Sequence, residues 1–216
     1  MASIRALVLN CTLKPSPAPS SSEVLGQEVL DALGTQGVSG EMIRVVDHSV
    51  RFGVSTDEGD GDGWPAIRAK LLAAQILVIA TPIWLGQPSA VCKMVLERLD
   101  AELSETDAEG RLRTYGKVAG VAVVGNEDGA HHTIGQVQQA LNEVGFTCPA
   151  AGATYWVGEA LHKTDYIDAR PKPDTTGRTT AALALNSAHL ARLLAEQPYP
   201  PPQTRDAGVG PSRQPG

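Results

Sequence analysis

Residues 76–100 read ILVIATPIWLGQPSAVCKMVLERLD. Ile76 to Ala80 are apolar without a break, the pattern of a strand covered on both faces. A stiff apolar link follows, in which Pro82 and Pro88 fix the backbone and Gly86 permits a close approach. Helical periodicity then runs from Ser89 to Leu103. A buried strand, a shaped link and a helix form the repeating unit of a parallel α/β sheet.

The same alternation extends in both directions. Toward the N-terminus, Ile4–Leu9 reads as a strand and Glu23–Leu33 as a helix stopped by Gly34 and Gly37. Glu41–Val46 is a second strand, Asp47–Gly63 a loop containing DEGDGDG, and Trp64–Ala74 a helix. Toward the C-terminus come a strand at Lys117–Val124, a helix at Thr133–Val144, a strand at Ala150–Tyr155 and a long helix at Arg178–Glu196. Five strands alternating with five helices predict a five-stranded parallel sheet with right-handed crossovers and helices on both faces. Residues 1–196 form one domain in this reading. From Gln197 to Gly216 the chain is rich in Pro and Gly and is expected to be a disordered tail.

The chain has 216 residues, 42% of them hydrophobic, and a formal net charge of -6. That balance argues against a general binder of nucleic acid or anionic membrane, which needs a basic face. Nothing approaches the run of about 18 apolar residues expected of a membrane span. The three cysteines, Cys11, Cys92 and Cys148, are odd in number and form no CxxC pair, which fits a reducing cytoplasm. The acidic DEGDGDG run does not match an EF-hand and reads as a solvated loop.

In an open parallel sheet, ligands bind beyond the carboxyl ends of the strands. Three loops there are unusual. The first, NCTLKPSPAPSSS at 10–22, holds three prolines, five hydroxyls and Lys14. It precedes a helix for which Ser22 is the expected N-cap, and a helix N-terminus suits phosphate. Neither GxxxxGK[ST] nor GxGxxG occurs, which disfavours a P-loop and a dinucleotide site. The second, 81–89, carries Ile83, Trp84 and Leu85 where a loop is normally polar. It suits either a flat aromatic ligand or a subunit interface. The third, VVGNEDGAHHTIGQV at 123–137, brackets Asn126, Glu127 and Asp128 between Gly125 and Gly129, with His131 and His132 following. Its His and acidic residues lack the spacing of a metal motif.

Together, NCTLKPSPAPSSS and TPIWLGQPSAVCKMVLERLD resemble the flavodoxin-like NAD(P)H-dependent FMN reductase family, across residues 3 to 157. The second segment is similar to that family's TP-x-aromatic-x-G loop and the K-x-x-L-[DE]-R helix after it. The resemblance implies a flavodoxin-like three-layer α/β sandwich that binds FMN. It places Thr12, Lys14, Ser20 and Ser22 on the FMN phosphate. It places Pro82, Ile83, Trp84, Leu85 and Gly86 along the isoalloxazine and ribityl chain, and Gly125, Asn126, Glu127 and Asp128 along the pyrimidine edge. It implies an enzyme that passes electrons from NAD(P)H to a quinone, flavin or similar small acceptor. No catalytic side chain and no metal are required. The first loop departs from the family in having Asn10-Cys11-Thr12 and Ser21-Ser22 where many members have Gly-Ser and Asn-Thr. An electron-carrier flavoprotein and a flavin-free interaction protein are the competing readings. The apolar flavin rim needs cover, so a homodimer or homotetramer is expected. Residues 158–177 are longer than a connector requires and are expected to cover the site mouth or a neighbouring subunit.

Overall fold

The computed structural model describes residues 3–160 and 162–202. Strand β1 (Arg5–Asn10) lies between β2 (Ser39–Arg44) and β3 (Ile76–Trp84). Strand β5 (Val118–Gly125) pairs with β3, and β6 (Ala153–Val157) closes the far edge. All of these pairings are parallel, giving the order β2-β1-β3-β5-β6. Helices cover both faces, as the unbroken apolar strands require.

Side chains alternate along each strand and so split the core in two. Leu7 and Leu9 of β1 face one layer, which contains α2 (Trp64–Ala73), α3 (Ala90–Leu99) and α4 (Ala130–Glu143). Ala6 and Val8 face the other layer, which contains α1 (Ser21–Thr35) and α5 (Asp174–Glu196). Small residues let α5 approach closely: Ala184, Ala188 and Ala191 are buried, and a Cβ on Gly120 of β5 would stand 2.7 Å from Leu183 Cδ1.

Residues 76–88 are more regular than their prolines suggest. β3 does not stop at Ala80 but continues through Thr81-Pro82-Ile83 to Trp84. Its pairing with β1 ends at Asn10↔Ala80, while that with β5 continues to Pro82↔Val124. Beyond Ala80 the strand is therefore an edge, where a proline is tolerated. It then folds back on the two-residue β4 (Gln87–Pro88) as a short antiparallel hairpin. The turn residues Leu85 and Gly86 have φ of 52° and 73°, the positive values that tight two-residue hairpins need.

The other differences lie at element ends. α1 begins at Ser21, and its cap is Ser20, whose Oγ accepts the Glu23 N–H; Ser22 is two residues further in and is not the cap. α3 stops at Leu99 and continues as a 3-10 turn through Ser104. α4 starts three residues before Thr133, and α5 four residues before Arg178. Of the expected tail, residues 203–216 lie outside the described residues. Its first part packs on the body: the Tyr199 ring meets Tyr115 edge-on at 5.6 Å, and its hydroxyl lies 2.9 Å from Thr147 Oγ1.

Candidate functional site

The loops after β1, β3 and β5 meet at the carboxyl edge, as the topology dictates. The first is pinned from below and from the side. At its root Asn10 Oδ1 accepts the Thr12 N–H at 3.2 Å and the Ser22 hydroxyl at 2.8 Å. From the end of β2, Arg44 donates to the carbonyls of Lys14 (3.2 Å) and Ala18 (2.8 Å) and pairs with Glu23. Asp47 accepts the Ser16 N–H and hydroxyl, and these bonds hold its carboxyl below the usual range. The Pro-rich loop is therefore built as a fixed curve around the start of α1.

The second loop is tied to the first. Ser89 caps α3 by accepting the Cys92 N–H, and it donates to the Cys11 carbonyl at 2.6 Å. The third loop is tied to the second. Gly86 N–H donates to Glu127 Oε1 at 3.3 Å. A Cβ on Gly129 would stand only 2.7 Å from Gly86 Cα, so this contact requires glycine.

A cavity of about 160 Å³ lies where the three loops converge. Of the expected site residues, Thr12, Lys14, Ser20, Ser22, Pro82, Ile83, Trp84, Gly125, Asn126 and Glu127 line it. Leu85, Gly86 and Asp128 do not. Leu85 is 90% exposed at the hairpin tip, Gly86 forms the turn, and Asp128 folds back onto the Gly129 N–H. The histidines also stand apart: His131 meets the Tyr155 hydroxyl, and His132 joins Gln87 and Gln136.

Leu13, Ser21, Val124, Trp156, Asp165 and Tyr166 complete the wall. The sequence points to 158–177 as a cover for the site mouth or a neighbouring subunit without singling out Asp165 and Tyr166. The length of that connection was the usable signal. Trp156 takes its place because residue 158 is glycine: a Cβ there would meet Trp156 Cη2 at 2.6 Å.

The donor set suits a phosphate monoester attached to a flat ring. Hydroxyls, one ammonium and the N-terminus of a 15-residue helix line the cavity together with the apolar Ile83 and Trp84. Asn10 Nδ2 is buried without an acceptor among the described residues, and a phosphate oxygen would satisfy such a donor. The residues thus fit FMN. Among the described residues no cluster of three or more His, Cys, Asp or Glu is placed to hold a metal, and no helix is long and apolar enough to cross a membrane.

Comparison with known proteins agrees. Residues 4–161 match the NADPH-dependent FMN reductase family. The chain is 34% identical over 206 residues to the 8-demethyl-8-aminoriboflavin-5'-phosphate synthase of Streptomyces davaonensis, covering 91% of this chain and 80% of that protein. The crystal structure of RosB with the bound intermediate 8-demethyl-8-formylriboflavin-5'-phosphate superposes with a TM-score of 0.84 at 34% identity, over 91% of this chain and 82% of that one. A relative from Mycobacterium bovis, a divalent metal cation transporter MntH, is 37% identical over 88% of this chain, which spans only 29% of that protein's length. A flavone reductase shares the fold at 15% identity and a TM-score of 0.62, over 89% of this chain and 64% of that one. The chain belongs to the NADPH-dependent FMN reductase family: it is a flavodoxin-like, flavin-dependent oxidoreductase whose cofactor is FMN.

Proposed function

We propose that this chain takes electrons from NAD(P)H and passes them to a quinone, flavin or similar small acceptor. The observation that carries the reading is the single cavity in which a hydroxyl-rich loop, a helix N-terminus and an apolar hairpin converge. Bound FMN supplies the ring that accepts a hydride and stores two electrons.

The chain's own residues bind and orient. Thr12, Ser20 and Lys14 would hold the phosphate dianion at the start of α1, while the Ser22 hydroxyl, which donates to Asn10 Oδ1, fixes the floor beneath them. Ile83 and Trp84 exclude water from one side of the ring slot. The Gly86–Glu127 bond and the close Gly86–Gly129 contact keep the two sides of that slot in register. Backbone N–H groups facing a bound ring would favour negative charge on it, which would require no side-chain acid or base. Trp84, 54% exposed beside the cavity, offers an apolar surface to donor or acceptor and to a second subunit of a homodimer or homotetramer.

A second reading is favoured by the likeness to the Streptomyces synthase, which extends over 91% of the chain. In it, the flavin phosphate is itself the substrate and is modified and released. One experiment addresses both. The chain is purified, loaded with FMN and freed of excess, and NAD(P)H is added under anaerobic conditions. Bleaching of the retained flavin bands, reversed by a quinone with FMN recovered at unchanged mass, supports the reductase. Recovery of a flavin of altered mass supports the second reading, and a bound flavin that ignores NAD(P)H removes the first.

A further inference from the structure

Most βα connections at a sheet edge take two to six residues. The one from β6 to α5 is far longer, and residues 162–173 reach the flavin cavity through Asp165 and Tyr166. They are held by side chains, not by a strand ladder. The Tyr166 hydroxyl donates to Glu28 Oε2 on α1. Lys172 Nζ sits 3.5 Å from the centroid of the Tyr166 ring, donates to the Tyr166 carbonyl at 2.6 Å and stands 3.8 Å from Glu28 Oε1. Ile167 N–H donates to Ser21 Oγ in the first turn of α1. On the other side Asn126 Nδ2 donates to the His162 carbonyl and Asp165 Oδ1. The segment therefore bridges the phosphate end of the cavity and the loop after β5.

Tyr166 is the centre of this closure. It is 1% exposed, it lines the cavity, and its ring lies 5.5 Å from that of Trp156. Burial and the adjacent Glu28 carboxylate push its phenol well above the usual range, so it remains a donor to that carboxylate at neutral pH.

The size of the cavity says that it must widen to admit a flavin, and the fastening of each wall says which can move. It measures about 160 Å³, below the roughly 300 Å³ at which ligand sites begin. The loop after β1 is fixed by Asn10, Arg44 and Asp47. The other two loops are locked at the Gly86–Gly129 contact. Residues 162–173 are the wall with no strand pairing, fastened by side-chain bonds and by the Tyr166 ring buried among the core residues of α1 and α5.

We propose that Tyr166, Glu28 and Lys172 form a latch that closes residues 162–173 over bound flavin, and that opening this latch sets the rate at which flavin enters and leaves. Tyr166 and Glu28 are positioning residues in this scheme. The inference rests on FMN occupying the cavity, whichever of the two readings of its chemistry holds.

The test is FMN release from the loaded protein, followed by the recovery of flavin fluorescence on dilution, in wild type, Tyr166→Phe, Glu28→Gln and Glu28→Ala. Loss of a charge-assisted hydrogen bond should accelerate release by about tenfold or more in Tyr166→Phe and Glu28→Ala. Glu28→Gln keeps an acceptor for the phenol and should change less. Hydrogen exchange is the second readout: FMN should slow exchange in 162–173 in wild type and lose that effect in Tyr166→Phe, which a purely structural role would not produce. FMN retained and released at the wild-type rate by all variants, or no FMN-dependent protection of 162–173 in wild type, overturns the latch alone. A wild-type chain that retains no FMN overturns the flavin site and the latch with it.

Discussion

The connections after β1 and β2 are both long, polar and rich in turn formers, yet they do opposite things. Residues 11–20 present hydroxyls and Lys14 to a cavity, with the Asn10 Nδ2 donor left over beneath them. Residues 48–63, which include the acidic run, turn inward on an ion pair. Arg98 Nη1 meets Asp62 Oδ2 at 2.8 Å with both side chains fully buried. The same guanidinium donates to the carbonyls of Arg51 and Ser55 and lies 5.6 Å from the Trp64 ring centroid. Asp62 also accepts N–H groups from Arg51, Glu58 and Trp64. The second loop satisfies its polar groups with one another and becomes a structural plug. The first satisfies its backbone and leaves side chains over for a ligand. Polarity in the sequence does not distinguish them; the destination of each hydrogen bond does.

The largest break in the comparison is Arg98→Ala. It leaves the Asp62 carboxylate buried without its partner and frees the Arg51 and Ser55 carbonyls, so we expect a loss of about 3–5 kcal/mol. Urea unfolding measures this, and the folded fraction should bind FMN as wild type does. A loss below about 1 kcal/mol would show that the plug carries little stability. The same carboxylate sets a pH dependence. Burial raises its pKa, but the three backbone N–H bonds and Arg98 outweigh burial and hold it well below the usual range. A depressed folded pKa contributes stability above the unfolded value, near 4, and that contribution is lost as pH falls through it. Wild type should lose stability below about pH 4 more steeply than Asp62→Asn, as read from unfolding midpoints across acid pH.

Gly129→Ala attacks the functional side of the comparison. Gly129 has φ of 116°, and a Cβ would meet Gly86 Cα at 2.7 Å. The backbone strain alone is worth about 1–3 kcal/mol. The clash would also push the hairpin away from Glu127, so FMN affinity should fall together with the melting temperature. Equal FMN affinity in this variant would mean that the Gly86 contact does not shape the ring slot.

Much of the fold was legible because apolar periodicity is a property of the chain itself. ILVIA and KVAGVAVV announce covered strands, and TPIW with its helix announced the family. The course of β3 beyond Ala80 was not legible, since proline argues against a strand until its neighbour is known: β1 has already ended there, which makes Pro82 an edge residue. Ser20 rather than Ser22 caps α1 because Ser22 is drawn to Asn10, a contact 12 residues away in sequence. The burial of Asp62 was hidden for the same reason. Its partner Arg98 lies on a later helix, and only the folded chain brings them together. Ten of the thirteen expected site residues line one cavity, because sheet topology alone fixes which loops meet. Asp165 and Tyr166 escaped notice because their positions depend on Glu28 and Asn126.

The smallest expected effect sharpens the contrast most directly. Lys14 supports its loop through its backbone: its N–H goes to Thr12 Oγ1, and its carbonyl accepts from Arg44. The side chain is thus left for the ligand, and Lys14→Ala should leave the unfolding midpoint in place. Its ammonium is exposed, so its attraction to a phosphate dianion is screened and worth about 1 kcal/mol, or roughly a fivefold loss of FMN affinity. Salt should weaken FMN binding more in wild type than in the variant, because only wild type has this charge pair to screen. Riboflavin, which lacks the phosphate, should bind both proteins alike. An equal loss for riboflavin would place Lys14 along the ribityl chain instead, and no loss for either flavin would leave the phosphate to the hydroxyls and the start of α1.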